Sequence, residues 1–345
     1  MFTFRGMNDI IDKQLVKGDI MWIQELKNRK KLDLPKDMTF GLEIEFAKAD
    51  RTYVEDEIID AIKNNKLTNN WLLENEETLY EEKVFSIYGG EAISGILTDS
   101  NENWKDVKLV CDTIKKYRGI ISDKCAAHVH VGANVFLDNL KYYSRLAKLW
   151  TVYEDIIIRF CYGESNEPRP NMEYFAKSNF EIFKYIDLFY KNDKQIRSFD
   201  DFLRAYSPCK NLAISFRRLD EKFIKAKYGN NIKNWQDYRT FEFRLGNGTL
   251  NENIWQNYTN LYTKILLCCL DDNKDWDKID KKFYEIINNE TYDIDNNYNL
   301  EKAIEFCNFV FDNELDKMNF LLQYAKNDYA RKEFQEVSKC LVKRK

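Results

Sequence analysis

The sequence predicts an α+β protein built on an antiparallel sheet packed by helices. Stretches with period-two alternation lie far apart in the chain, near 38–47, 84–97, 126–134, 212–219 and 238–246. Between them, apolar residues recur every three or four positions, as on a helix that buries one face. The two patterns do not alternate with the regularity of βαβ units, which argues against a doubly wound or barrel fold.

Residues 1–37 read as a partly helical polar extension ending at Leu34-Pro35-Lys36-Asp37. The run Phe40-Gly41-Leu42-Glu43-Ile44-Glu45-Phe46 follows. On a strand, successive side chains point to opposite faces, so Glu43 and Glu45 share one face and Phe40, Leu42, Ile44 and Phe46 take the other. Residues 64–83, with Trp71 and the acidic Glu76-Glu77-Thr78, read as a loop. The 84–97 strand carries Gly90-Glu91 and Ser94-Gly95. Both histidines of the chain then appear as His128-Val129-His130, on one strand face opposite Ala127, Val129 and Val131.

A helix is predicted to start at Asp138 as N-cap, with Leu140, Tyr143, Leu146, Trp150, Tyr153, Ile157 and Phe160 as its apolar stripe. A loop over 163–180 contains Glu167-Pro168-Arg169-Pro170. The last strand reads Arg239-Thr240-Phe241-Glu242-Phe243-Arg244-Leu245 and again sets an apolar face against a charged one. After Gly248, Thr249-x-x-Glu252 has the form of a capping box, and Ile254, Tyr258, Leu261, Tyr262, Ile265 and Cys269 follow as a buried stripe. From about 275 onward the chain reads as helical. The expected organisation is an extension at 1–37, a core at 38–270 and a helical part at 271–345.

Composition narrows the function classes. With 44% hydrophobic and 15% aromatic residues over 345 positions, the chain can bury a large core. A net charge of −4 supplies no basic field for nucleic acid, and the basic end from Lys339 to Lys345 is too short to change that. No apolar run reaches the ~18 residues of a membrane span, and the N-terminus lacks a signal-peptide core. Eight cysteines contain no CxxC pair, which fits reduced thiols in a cytoplasmic protein.

Taken singly, each polar pair has an ordinary explanation. Glu43 and Glu45 could line a solvated strand face, the histidines could bond to one another, and Glu242 with Arg244 could be an exposed ion pair of little worth. Taken together, three distant strands each set Glu, His or Arg opposite an apolar face. That is how a sheet builds a metal and phosphate site over a packed back. A multi-histidine zinc centre is excluded, because the chain holds two histidines in all. There is no GxxxxGK[ST] loop, Gly246-Asn247-Gly248 lacks a third glycine, and no GxSxG is present. Phosphates must therefore be held by arginine forks and by cations on carboxylates, a ligand chemistry that suits Mg²⁺ or Mn²⁺.

The ordered set Phe40-Gly41-x-Glu43-x-Glu45, Trp71 with an acidic turn, Gly90-Glu91-x-x-Ser94, His128-x-His130, Thr240-x-Glu242-x-Arg244 and Gly248-Thr249-Leu250-Asn251 resembles the amidoligases. These are carboxylate–amine ligases related to glutamine synthetase and glutamate–cysteine ligase. The resemblance spans about residues 38 to 260. It implies a glutamine-synthetase-like curved antiparallel sheet whose concave face binds Mg²⁺ and ATP. By that resemblance Glu43, Glu45, Glu91, a histidine (His128 favoured) and Glu242 ligate metals, and Arg244 contacts phosphate. Glu43, Glu45, His130 and Arg244 face the nucleotide, and Arg169 matches a basic position near the site.

Two departures stand out. Glu76-Glu77-Thr78 replaces the family's Asp-Gly-Ser, and Ser94-Gly95 replaces Ser-Pro. The implied reaction joins a carboxylate to an amine of an amino acid, peptide or protein through an acyl phosphate; Glu76 is a candidate base, and loops 64–83 and 163–180 are candidates for excluding water. The alternatives are a phosphotransferase of the guanidino-kinase type and a non-catalytic binding protein that keeps a relic site.

Overall fold

A computed structural model describes residues 29–76, 88–170, 172–183, 198–229, 231–289 and 298–325. Residues 1–28 of the predicted extension, Glu77, Thr78, positions 84–87 of the predicted second strand and the basic chain end lie outside the described residues.

Strand β1 (Thr39–Asp50) is the organising element. It pairs antiparallel with β3 (Tyr88–Ser94), β4 (Leu97–Thr98) and β5 (Ala126–Gly132). Strand β2 (Trp71–Glu74) extends the sheet beyond β3, while β7 (Thr240–Asn247) and β6 (Ile214–Ser215) extend it beyond β5. The result is a curved, open antiparallel sheet in the order β2-β3-β1-β5-β7-β6, with β4 beside the start of β1.

The predicted alternation holds. Phe40, Leu42, Ile44 and Phe46, Val129 and Val131, and Phe241, Phe243 and Leu245 are all buried on one face. Helices α1 (Arg51–Lys63), α2 (Asn101–Lys116), α3 (Leu140–Cys161), α4 (Phe199–Tyr206), α5 (Glu221–Tyr228) and α6 (Glu252–Leu270) surround the sheet. Phe40 stacks on Trp104 of α2 with centroids 5.0 Å apart, and Phe243 stacks on Tyr262 of α6 at 4.1 Å and touches Trp150 of α3. Ring pairs of this kind add about 0.5–1.5 kcal/mol each beyond the area they bury. With the apolar face committed to helices such as α2, α3 and α6, the acidic face is left for chemistry.

Helices α7 (Trp276–Ile287), α8 (Leu300–Val310) and α9 (Glu314–Ala325) follow. Phe320 of α9 stacks on Phe160 of α3 at 4.5 Å, and buried Asp316 pairs with Arg29 at 2.8 Å. No helix among the described residues is long and apolar enough to cross a membrane.

Several local expectations are corrected. Asp138 does not cap α3. It sits at φ +57° and pairs with Arg239, while Asn139 caps the helix by accepting from Lys141 N. Thr249 and Glu252 form no capping box. Asn251 is the N-cap, and Thr249 Oγ1 accepts from Asn251 N and donates to Glu164. The 212–219 strand shrinks to Ile214–Ser215, because Arg217–Leu219 turn into a 3₁₀ helix. Residues 71–74 of the expected loop are strand, with Trp71 and Leu73 buried and Leu72 and Glu74 exposed.

Candidate active site

Strand register assembles the polar face row by row. Glu45 on β1 lies opposite Glu91 on β3, which lies opposite Glu74 on β2. One row along, Glu43 lies opposite His128 on β5. In the next row His130 lies opposite Glu242 on β7, which pairs with Ser215 on β6. Directly opposed residues on antiparallel strands share a face, so these rows converge. A register shift between β5 and β7 falls at Ala127/Val129, beside His128, where such irregularities commonly re-aim side chains.

Glu43 is the hub. Its Oε2 lies 3.0 Å from His128 Nδ1, and its Oε1 lies 2.9 Å from His130 Nε2 and accepts from Arg218 Nη2 at 2.8 Å. His130 Nδ1 reaches Thr240 Oγ1 at 3.2 Å. His128 also approaches Glu45 and Glu91, at 3.9 Å each. Glu45 accepts from Ala126 N at 2.7 Å. Arg244 pairs with Glu242, two residues away on the same strand, and donates to the carbonyl of Phe175. Glu43, Glu45, Glu91, His128, His130 and Glu242 are each at most 9% exposed.

Burial raises the cost of every charge here, and the carboxylates respond differently. Burial alone would push Glu43 up, but the opposing His130 charge and the hydrogen bonds from both imidazoles outweigh it and hold the carboxyl well below its usual range. For Glu242, His130 and Arg244 likewise overcome burial, and the carboxyl is lowered. Burial raises Glu45. Glu91, buried and facing the charges of Glu43 and Glu45, is pushed up to about 9. His130 is lowered by burial and by nearby Arg218. With Nε2 facing Glu43 and Nδ1 facing Thr240, the tautomer protonated at Nε2 donates to Glu43 and accepts the Thr240 hydroxyl.

The ligand atoms form three overlapping groups, each with its atoms within 4.8 Å of one another: Glu43/Glu91/His128, Glu43/His130/Glu242 and Glu45/Glu76/Glu91. Glu43 and Glu91 each belong to two of them. Oxygen-rich triplets with at most one imidazole fit Mg²⁺ or Mn²⁺ rather than zinc. Around this face and its cavities seven carboxylates (Glu43, Glu45, Glu74, Glu76, Glu91, Asp237 and Glu242) meet five cationic side chains (Lys124, Arg169, Arg218, Lys227 and Arg244), so added cations suit its charge.

Two cavities flank the groups. One, of about 330 Å³, is lined by Glu45, Glu76, Lys124, Arg169, Phe175 and Arg244. The other, of about 290 Å³, lies beside Glu43, His130 and Arg218. Every residue expected from the sequence thus borders one face, and Arg169 and Glu76 border the larger cavity. Both histidines join metal-type triplets, so the geometry does not single out His128.

The loop bearing Arg169 is anchored from behind. Arg169 N donates to Asn247 Oδ1 at 2.9 Å, and its guanidinium reaches the Arg244 carbonyl at 3.3 Å. Further along, fully buried Glu154 accepts from Ser178 Oγ, Asn179 N and Trp150 Nε1. Asn179 exchanges hydrogen bonds with the backbone of Ile214, which fixes β6. The sequence reading did not single out Arg218. Its one signal was the Arg217-Arg218 pair at the end of an alternating run.

A family model described as "putative amidoligase enzyme" matches residues 36–266, which takes in every group named above. No curated protein matches the chain.

Proposed function

The chain belongs to the putative amidoligase family, and we propose that it is an ATP-dependent carboxylate–amine ligase working through an acyl phosphate. The observation that carries this reading is the row of three overlapping ligand groups, two with one imidazole each and one of carboxylates alone, lying between two cavities. Such a row suits a reaction in which a phosphoryl group passes from a donor on one side to a carboxylate on the other. A glutamine-synthetase-like sheet with its concave face active, a core at 38–270 with the helical part 271–345 packed on it, and a cytoplasmic location belong to the same proposal.

The two triplets that share Glu43 would hold Mg²⁺ or Mn²⁺, whose charge would offset that of the phosphoryl oxygens. Arg244 would meet the transferring γ-phosphoryl group with its planar guanidinium fork. A carboxylate oxygen of the substrate bonds to the γ-phosphorus as the bond from that phosphorus to the bridging oxygen of ADP breaks. The amine nitrogen then bonds to the acyl carbon, phosphate leaves, and the surplus proton passes to a base. We assign that base to Glu76, which lines the larger cavity. Arg169 and Phe175 help to close the same cavity against water, which would otherwise hydrolyse the acyl phosphate.

The test is mass spectrometry of reactions containing ATP, Mg²⁺ and mixed carboxylate, peptide and amine pools. Amide product with ADP and phosphate supports the ligase. A stable phosphorylated substrate without amide identifies a phosphotransferase. No metal-dependent ATP turnover with any pool overturns the enzymatic reading.

A further inference from the structure

Resting on the ligase reading, we infer that the smaller cavity is the nucleotide site, with the base of a nucleoside triphosphate against Leu72, Ile96, Tyr228 and Tyr238 and its phosphates on Arg218. The first observation is where exposed apolar surface lies. Leu72 is 63% exposed, Ile96 56%, Tyr228 45% and Tyr238 38%, and all four line this one cavity. Exposed apolar side chains are ordinary when scattered, but gathered in a concavity beside a polar cluster they mark a binding site.

The second observation is ring chemistry. The Tyr228 and Tyr238 rings lie 5.2 Å apart at 38°, a paired aromatic wall of the kind on which a flat heterocycle packs. The third is continuity. Arg218 donates to Tyr228 Oη at 3.3 Å through Nη1 and to Glu43 Oε1 at 2.8 Å through Nη2. One guanidinium therefore runs from the aromatic wall to the hub of the carboxylate groups. A ligand with a ring at one end and a chain of anionic groups at the other matches that order, and a nucleoside triphosphate has that form. The larger cavity presents Lys124, Arg169 and Arg244 with one aromatic residue, Phe175, and suits the carboxylate substrate instead.

The assignment divides the phosphate contacts. Arg218 takes the phosphates next to the nucleoside, and Arg244 meets the γ-phosphoryl group from the far side. The chain has no glycine-rich phosphate loop, so side chains must supply these contacts.

The experiment measures binding of Mg·ATP and of Mg·tripolyphosphate by calorimetry to the parent protein and to Leu72→Ala, Tyr238→Ala and Arg218→Gln, with Ile59→Ala as an exposed apolar control. The parent should bind ATP more tightly than tripolyphosphate. Loss of base packing should weaken ATP about tenfold in Leu72→Ala and Tyr238→Ala, within the range that removal of a base-packing side chain produces. Tripolyphosphate binding should be unchanged in those two variants, which also shows that they are folded. Arg218→Gln should weaken both ligands, and Ile59→Ala neither. Equal affinity of the parent for ATP and tripolyphosphate would overturn the assignment, as would full ATP affinity in both apolar variants. Amide formation alongside either result would leave the ligase reading standing. ATP binding that depends on Leu72 and Tyr238 without amide formation would leave the nucleotide site standing and remove the ligase.

Discussion

Arg218 donates to Glu43 Oε1 at 2.8 Å, tying the 3₁₀ turn after β6 to the middle of β1. The side chains are 16% and 8% exposed, so this ion pair is largely shielded from water. It is the arginine contact to the carboxylate that both histidines share.

Replacing Arg218 by Gln should therefore destabilise the metal-free protein. Breaking a fully buried pair costs about 3–5 kcal/mol, and the partial exposure of Arg218 argues for about 2. The loss should shrink in saturating Mg²⁺, because a cation on Glu43 replaces the missing charge. Urea unfolding with and without Mg²⁺ measures both values. An identical loss under the two conditions would mean that no cation reaches Glu43.

Glu91 supplies a pH signature. Its folded pKa of about 9 stands above the ordinary carboxylate value of 4.5. An acid raised on folding binds its proton more tightly in the native state. The associated stability is fully present below about 4.5 and is lost as pH rises toward about 9. In chelator, stability should fall across this window by up to about 1.4 kcal/mol per pH unit. Glu91→Gln should flatten the profile and raise stability at pH 8. Mg²⁺ binding near pH 7.5 should release about one proton, detected by calorimetry in buffers of different ionisation enthalpy. A flat profile in the unmodified protein would contradict the crowding of Glu43, Glu45 and Glu91.

Glu43 and Glu76 should differ in their effect on turnover. Glu43 serves two triplets, whereas Glu76 serves one, at the rim. Glu43→Gln should cut ADP release by more than about 100-fold, beyond the ~10–100-fold typical of groups that only orient metal ligands. Glu242→Gln should be similarly severe, because its triplet loses its second carboxylate. Glu76→Gln should slow amide formation more than ADP release if Glu76 takes the proton of the amine. Steady-state assays of ADP and amide side by side make the comparison, with circular dichroism as the check on folding.

The acidic face was legible because alternation turns spacing into sidedness. Glu43 with Glu45, His128 with His130, and Glu242 with Arg244 each sit two apart, and all six point to one face. What linear spacing cannot encode is cross-strand register, which decides that Glu43, not Glu45, becomes the hub. Arg218 escaped notice because its segment leaves the sheet after Ser215, so an alternation rule assigns it no face. Trp71–Glu74 escaped because a four-residue strand is too short for its period to stand out from its polar flanks. The caps of α3 and α6 slipped for a different reason. Asp138 is drawn into an ion pair with Arg239, and Thr249 bonds Glu164, so neighbouring asparagines cap both helices.

The two imidazoles provide the last test. The sequence suggested that one histidine binds metal and the other serves the nucleotide, but each ring occupies its own triplet with Glu43. His128 shares its triplet with Glu91, and His130 shares its own with Glu242. Each should therefore affect a different cation. His128→Ala should raise the Mn²⁺ concentration needed for half-maximal ADP release while sparing the position at Glu242. His130→Ala should do the same at the Glu242 position and should also free Thr240, its hydrogen-bond partner. If the positions are independent, the double variant should show both losses, adding within about 0.5 kcal/mol. Sharing of Glu43 predicts coupling instead, so the combined loss should depart from the sum. Mn²⁺ titrations of the parent, both single variants and the double variant measure that departure. A histidine whose removal leaves the titration unchanged is not a ligand, and strict additivity would show that Glu43 does not link the two positions.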